Sequence, residues 1–513
     1  MSKFNARTAS PKPNAATYEG GAGYTRDAKR ELFLLAVSNL VGEDTFYERA
    51  GERDERFARL VGQVAVDGVD WLTRFVRWLR TGANMRSAPL VAAAEAVHAR
   101  LAAGLAGDNR AIVAAAMDRA DEPGELLAYW IGRHGRKLPM PVKRGIADGA
   151  LRLYTEYPLL KYDTGSHGVR FADVIELTHP AGRRGGAVQD DLFRHAIDRR
   201  HHREDPAPER LRMVRANAEL RELAEGDPHA LLDPERLRAA GLTWEDVLSL
   251  VGSKLPKALL WEALIPVMGL MALARNVRNF DEAGVSDAAA AAVAARFADP
   301  RQVARSRMFP FRWLSAYEQA PSVRWSHPLD QALQASLTNL PALPGRTLVL
   351  VDTSGSMTSG GISARSTVTP LKAAAVFGVA LAAKGERVDL VGFADGRRPF
   401  THKVGRGASV IREVDRFVRR TGEDGHGTAI AASLRKSYSK HDRVVIISDM
   451  QTMDRGVTDV VPKSIPLYGF NLGGYRVTAI PAVANRVEFG GLTDATFRML
   501  PLIEAGRDEA WPF

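Results

Sequence analysis

Cysteine is absent from the 513 residues. That excludes disulfide frameworks, thiolate nucleophiles, iron–sulfur clusters and cysteine zinc sites together. Long apolar runs are missing too. The longest, Ala373 to Ala383, lies between Lys372 and Lys384 and is far too short to span a bilayer. Met1 to Gly23 is polar and rich in Ala, Gly and Pro, without the apolar core of a secretory signal. The expectation is a soluble, cytoplasmic protein with no membrane partner. Enzyme signatures are also lacking: there is no G-x-S-x-G, no G-x-x-x-x-G-K-[ST] and no H-E-x-x-H, and no general base stands beside a nucleophile. The chain reads as a binding protein rather than an enzyme, with no catalytic residues.

What is present is a normal globular balance, 45% apolar and 25% charged, in a length that suits two to four domains. The net charge is +10, and lysine is scarce: 14 Lys against 56 Arg. Such a balance favours anionic partners, and arginine suits bidentate phosphate contact. A GC-rich genome is the plainer account of the Arg, Ala and Gly, because charge counts speak to association rather than to a site.

Three regions follow from the patterning. Residues 1–24 read as a flexible tail. From 25 to 340 the chain reads as helix after helix, with apolar residues at helical spacing. Asp70 precedes Trp71, Leu72, Phe75, Val76 and Leu79, and further stretches run through Val142–Leu153 and Lys257–Asn276. Helix pairs of about forty residues fit a degenerate HEAT-like solenoid. Trp71, Trp78, Trp130, Trp244, Trp261 and Trp313 fall on apolar patterns and are expected in the core or at helix contacts. Leu340-Pro-Ala-Leu-Pro-Gly345 is a boundary. Over 341–513, apolar strands at Thr347–Val351, Arg387–Phe393, Arg443–Ser448 and Ile465–Phe470 alternate with helices, which predicts a doubly wound α/β (Rossmann-like) parallel sheet covered on both faces.

The strongest chemical signal lies in that last region. Asp352-Thr-Ser354-Gly-Ser356 follows the first strand, Thr428 stands just before a helix, and Asp449 ends a third strand. In a doubly wound sheet all three loops emerge at the carboxyl ends of the strands, where ligands gather. Two carboxylates and three hydroxyls are hard oxygen donors, which prefer Mg²⁺, Ca²⁺ or Mn²⁺ to zinc or copper. The plainer alternative is a Ser/Gly turn after a strand with Asp449 as a helix cap. The pattern D-x-S-x-S, then T, then D resembles the metal-ion-dependent adhesion site (MIDAS) of von Willebrand factor A domains, and all five positions match. The resemblance implies that Ser354, Ser356 and Thr428 bind a divalent ion, expected to be Mg²⁺, through hydroxyls. Asp352 and Asp449 would act directly or through water.

The helical region carries Phe33-Leu-Leu-Ala-Val-Ser-Asn-Leu, Met85-Arg-Ser-Ala-Pro89, Trp261-Glu-Ala-Leu, Gly269-Leu-Met-Ala-Leu-Ala-Arg275-Asn276 and Arg305-Ser-Arg-Met-Phe-Pro310. Their order, followed by the A-type region, resembles the TROVE module of the Ro ribonucleoprotein family over nearly the whole chain, in a bacterial form. The resemblance implies a ring of HEAT-like helices closed by the A domain. It implies binding of Y-like noncoding RNA outside and of the single-stranded 3′ ends of defective structured RNAs in a basic central hole, in RNA quality control alongside an exoribonuclease. Residues 133–215 hold 17 Lys/Arg against 11 Asp/Glu, and six of the twelve His. Lys137, Lys143, Arg144, Arg152, Lys161, His167 and Arg170 are the candidate RNA contacts, since basic groups hold phosphates while His and Tyr stack on unpaired bases. An ordinary solvated helix face, with Arg152 and Lys161 lying along it, explains the composition as well. At Arg170-Phe171 the sequence departs from the W-S-H of the family's animal members, so a histidine contact there is missing. His195, His201 and His202 have no partner at metal-ligand spacing and read as part of a solvated charged linker. The second functional reading is a metal-dependent protein-binding adaptor whose A domain captures an acidic partner residue, without RNA.

Overall fold

The computed structural model describes residues 12–38, 49–165, 168–180, 186–203, 206–308, 310–320, 322–337, 340, 342–360, 368–405, 407–481, 485–490, 499–504, 511 and 513. The chain divides into two compact units. One joins Met1–Phe57 to Leu337–Pro512, and the other holds Ala58–Ser336 with Phe513.

The first unit opens with two short antiparallel strands, β1 (Ala15–Ala16) and β2 (Ala22–Gly23), and the helix Ala28–Ser38. A six-stranded sheet follows: β3 (Arg346–Asp352), β4 (Arg387–Phe393), β5 (Phe400–His402), β6 (Arg443–Ser448), β7 (Leu467–Asn471) and β8 (Arg486–Gly490). The order is β5-β4-β3-β6-β7-β8. Every pairing is parallel except that of β5 with β4, so the sheet is mixed rather than purely parallel. The central strands β3 and β6 read as unbroken apolar runs because both of their faces are covered. Leu348, Val349, Leu350 and Val351 of β3, and Val444 to Ile447 of β6, are all buried. The helix Pro370–Lys384, capped by Thr369 Oγ1 accepting from Lys372 N at 3.2 Å, is apolar nearly all round and buried from Leu371 to Leu381 except at Lys372. Its Gly378 leaves room for the sheet: a Cβ there would stand 2.7 Å from Val351 Cγ2. The strand order runs away from β3 in two directions, β4 on one side and β6 on the other. The carboxyl ends of β3 and β6 therefore flank a crevice.

The expectation of a tail through residue 24 is corrected by the hydrogen bonds of that segment. Thr17 Oγ1 donates to the Thr452 carbonyl at 2.5 Å, Gly21 N donates to the same carbonyl at 3.1 Å, and Tyr18 N donates to Gln451 Oε1 at 3.0 Å. Tyr24 and Thr478 exchange backbone bonds of 2.9 and 3.1 Å. The boundary at 25 moves as well. Arg26 forms a bidentate pair with Glu488 at 2.6 and 2.8 Å, with both side chains almost wholly buried. Arg56 bridges Glu31 at 3.0 Å and the Gly474 carbonyl at 3.1 Å. Buried charge pairs of this kind hold the segment to the edge of the sheet, and their partners lie far away in sequence, beyond the reach of local patterning.

The second unit is helical. Glycine sets its close contacts: on the helix Met140–Leu153, Gly145 and Gly149 would each drive a Cβ into Val113 (2.5 Å) or Met117 (2.7 Å) beside the helix Asn109–Ala115. The expected apolar faces are buried, including Trp71, Trp130, Trp261 and Trp313. Trp78 and Trp244 are only half-buried, and Trp244 meets Trp261 of a neighbouring helix at 5.9 Å, a helix contact rather than a core position. His195 and the following Arg199–Arg200 belong to the helix Gly186–Arg200 rather than to a linker, and His201 pairs with Glu176 at 2.6 Å. The Asn84 side chain donates to the Arg307 carbonyl at 3.3 Å, across 223 residues, bringing early and late helices of the unit together.

Candidate metal centre and nucleic-acid interface

Asp352 is the last residue of β3 and Asp449 the first beyond β6; both are buried, as are Ser354, Ser356 and Thr428. The loop after β3 turns because Asp352 Oδ1 accepts from Ser354 N at 2.8 Å, while Oδ2 accepts from Ser448 Oγ at 2.5 Å. Ser354 Oγ and Ser356 Oγ lie 3.3 Å apart, and Ser356 hydrogen-bonds to Asp449. The three loops are laced together. Gly355 N donates to the His426 carbonyl at 2.9 Å, and Met453 N donates to the Thr428 carbonyl at 2.7 Å. Thr452 Oγ1 also donates to that carbonyl, at 3.2 Å. The five residues named from the sequence thus share one crevice.

Between Asp449 and Gln451, Met450 holds a φ of 63°. A bulky residue in the left-handed region costs energy and persists where its surroundings impose it. Here Met450 N donates to Ser448 Oγ at 2.9 Å and Gln451 N to Asp449 Oδ1 at 3.2 Å, so the twist aims the carboxylate.

Two buried carboxylates in one crevice repel. Burial pushes the Asp352 carboxyl up to about 6, against the hydrogen bonds from Ser448 and Ser354. Burial and then the charge of Asp352 push Asp449 up to about 7, and Glu19 adds in the same direction. No cationic side chain among the described residues forms an ion pair with either. A hard divalent cation fits this donor set: it would neutralise the pair and accept the hydroxyls. Among the described residues no three His, Cys, Asp or Glu side chains converge on a metal-sized point, so a zinc-type cage is not an alternative.

The candidate RNA residues are dispersed through the helical unit. Lys137 is exposed in the loop before the helix Met140–Leu153, whose first turn carries half-buried Lys143 and exposed Arg144. Arg152, in the last turn, donates to the Met117 carbonyl. Arg170 is not available to phosphate: it pairs with buried Asp163 at 2.7 Å, and its side chain is 14% exposed. Asp163 also accepts from Phe171 N at 2.9 Å, so the Arg170-Phe171 pair starts a helix. His167 lies outside the described residues.

Lys161 opens onto a feature that sequence reasoning missed, a cleft of about 870 Å³. Lys161, Arg275, Arg296, Arg301 and Arg305 line it against two acids, Glu245 and Asp299. Tyr157, Trp244 and Met271 add apolar surface, with Tyr157 and Met271 more than 40% exposed. Arg275, Arg301 and Arg305 are exposed and form no ion pair among the described residues. The signal was present in the basic residues of the Gly269–Arg275 and Arg305 segments, but these come from different helices and only the fold unites them.

Residues 237–323 match the TROVE domain family model. That span holds every residue lining the cleft except Tyr157 and Lys161. The fold as a whole is similar to that of the Ro (RSR) protein of Deinococcus radiodurans. The TM-score is 0.64 and the identity 17%, over 92% of this chain and 100% of that one. No curated protein matches.

Proposed function

We propose that this chain, a TROVE-domain protein with the fold of a bacterial Ro protein, is an RNA-binding scaffold of the Ro type. The basic, aromatic-edged cleft inside the TROVE match is the observation that carries the reading. Arg275, Arg301, Arg305 and Lys161 would hold phosphates, while Tyr157 and Trp244 would stack on unpaired bases. Single-stranded ends of noncoding or defective structured RNAs suit such a cleft, since sequence and shape in RNA are read where bases are unstacked. The Asn84–Arg307 contact supports closure of the HEAT-like helices into a ring. Lys137, Lys143 and Arg144 offer a separate basic surface to a structured, Y-like RNA.

The sheet crevice is read as the metal-ion-dependent adhesion site of a von Willebrand factor A domain. Asp352, Asp449, Ser354, Ser356 and Thr428 would hold Mg²⁺. A bound ion would cancel the buried negative charge and offer a coordination position to an acidic group. The loops' own part is to hold both carboxylates buried and aimed, and a bound cation would keep them deprotonated. Exposed Tyr18 and Met453 edge the loop that follows Asp449, which favours a protein partner at this site beside the RNA function. An exoribonuclease working in RNA quality control in the cytoplasm is the partner class proposed. Binding rather than hydrolysis is the proposed role of both sites.

The test is binding of a tailed duplex RNA and of its blunt counterpart over a salt series. The tailed RNA should bind tighter, with affinity falling steeply as salt rises. Neutralising Arg275, Arg301 and Arg305 together should weaken the tailed RNA strongly and leave Mg²⁺ affinity unchanged. Equal binding of tailed and blunt RNA, undiminished in the triple variant, would sink the reading.

A further inference from the structure

A small cavity of about 100 Å³ opens in the helical unit, walled by residues of the helices Glu122–His134, Glu156–Tyr162 and Phe171–Thr178 and by Tyr154. Three buried polar atoms gather at it with no hydrogen-bond partner among the described residues: Tyr154 Oη, Asp121 Oδ1 and Arg119 Nε. Tyr154 and Asp121 line the cavity and are 2% and 7% exposed. Arg119 stands behind Tyr162, another wall, with its guanidinium 4.8 Å from that ring's centre. Asp121 is the N-cap of its helix, yet its side chain caps nothing. Its Oδ2 accepts from Arg86 at 2.7 Å, while Oδ1 lies 2.9 Å from Arg119 Nε, off the line of a hydrogen bond. Tyr154 stacks flat on Phe171, ring centres 3.7 Å apart, which fixes where its hydroxyl stands. Burial, and then the charges of Asp163, Asp121 and Asp173, hold that hydroxyl protonated, so it remains a donor. A buried hydroxyl left without a partner costs free energy, and a ligand that accepts from it would recover that cost.

The cavity is reachable: Ala128 and Gly168 are exposed at its mouth, and Glu125 and Tyr162 are half-buried there. Its charge is balanced, since Arg86 pairs with both Asp121 and Glu125 at 2.7 Å and Arg119 stands by Asp121. A neutral ligand therefore suits it better than a cation. We propose that this cavity reads the Watson–Crick edge of an unpaired guanine. Guanine presents two adjacent donors, N1–H and the N2 amine, followed by the O6 acceptor. The carboxylates of Asp121 and Glu125 accept from the two donors, and the Tyr154 hydroxyl donates to O6. Adenine, cytosine and uracil each turn an acceptor toward one of the carboxylates, which leaves both groups unpaired. The cavity is smaller than the roughly 150 Å³ that encloses a benzene, so it takes the edge of the base and leaves ribose and phosphate outside. The proposal rests on the RNA reading above only for the origin of the base, because a free guanine nucleotide presents the same edge.

The experiment is fluorescence anisotropy of uridine-rich RNA heptamers with a central guanine, adenine or inosine on the full chain, alongside calorimetric titration with GMP and AMP. Wild type is compared with Tyr154→Phe and Glu125→Gln. Wild type should bind the guanine heptamer about tenfold tighter than the adenine one, because adenine loses hydrogen bonds to charged groups. Inosine, which lacks the N2 amine, should fall between them. Both variants should bring the two affinities close together. Tyr154→Phe should melt no lower than wild type, since it removes an unpaired buried hydroxyl; a lower melting point would give the hydroxyl a structural partner and overturn the inference. Equal binding of the guanine and adenine heptamers by wild type overturns this inference alone, as does a guanine preference that survives in both variants. Heptamers left unbound while GMP binds in preference to AMP would sink the RNA reading and leave the guanine site standing. A chain that binds neither heptamer nor GMP sinks both.

Discussion

Asp449→Asn should stabilise the metal-free protein while destroying its response to metal. Asp449 ionises in the folded chain only at about 7, against 3.8 for an unperturbed carboxyl. The folded state therefore binds the proton more tightly than the unfolded state. Stability from this group is fully present below the unfolded value and is lost as pH rises through the folded one. Each pKa unit is worth ~1.4 kcal/mol, so by about pH 8 the charge costs at most about 4 kcal/mol. Asparagine removes that cost and keeps an oxygen for Gln451 N, but buries an amide N–H₂ at about 1–3 kcal/mol. The net gain is about 1–3 kcal/mol, or roughly 5 °C in melting temperature for a unit of this size. Circular-dichroism melts in EDTA and in Mg²⁺, at about pH 5 and about pH 8, check it. Wild type in EDTA should weaken from the lower to the higher pH and recover with Mg²⁺, whereas Asp449→Asn should respond little to Mg²⁺ and weaken less over the same pH rise, because only buried Asp352 is left to ionise there. An Asp449→Asn chain that melts below wild type in EDTA at the higher pH would refute the argument that the pair is electrostatically frustrated.

Asp352→Ala should remain folded and lose the Mg²⁺-induced rise in melting temperature, which differential scanning fluorimetry reads directly. Single neutralisation of Arg275, Arg301 or Arg305 should each lower the log–log salt slope of RNA binding by about one unit. Arg170→Ala should leave that slope unchanged yet destabilise the helical unit by a few kcal/mol in urea unfolding, because buried Asp163 keeps its charge and loses its partner. Gly392→Ala should lower the melting temperature of the α/β unit, since the new methyl would stand 2.1 Å from Phe400 Cζ.

The sequence was most legible where one strand or helix carries its own signal. The spans Arg387–Phe393 and Arg443–Ser448 coincide with β4 and β6: β6 is a buried apolar run from Val444 to Ile447, and β4 becomes buried from Leu390 to Phe393. Asp352 and Asp449 were legible as candidate metal ligands because each stands at a recognisable strand end, whereas Thr428 was marked only by the helix it precedes. β5 and β8 were not, being edge strands whose identity depends on the neighbour they join. Residues 12–24 look like a tail because their polar side chains and backbone are satisfied by partners more than four hundred residues away. Arg170 looked like a phosphate contact, since nothing in its neighbourhood of the sequence announces that Asp163 is buried beside it. The basic cleft is assembled from separate helices, and no single stretch of sequence contains enough of it to be seen.

The hydrogen bond from Thr17 to Thr452 spans 435 residues, so the segment around Thr17 must wait through all of their synthesis for its partner. At ribosomal speeds of about 5–20 residues per second that wait is roughly 20 to 90 s. Through it the β1–β2 segment and the helix Ala28–Ser38 emerge without the sheet edge that receives them, while all of Ala58–Ser336 is synthesised and free to fold. The α/β unit is thus born in two pieces, and its crevice is completed only by a late, long-range docking event. Newly made chains exposing Leu32, Phe33 and Leu35 during that interval are the population on which chaperones would act.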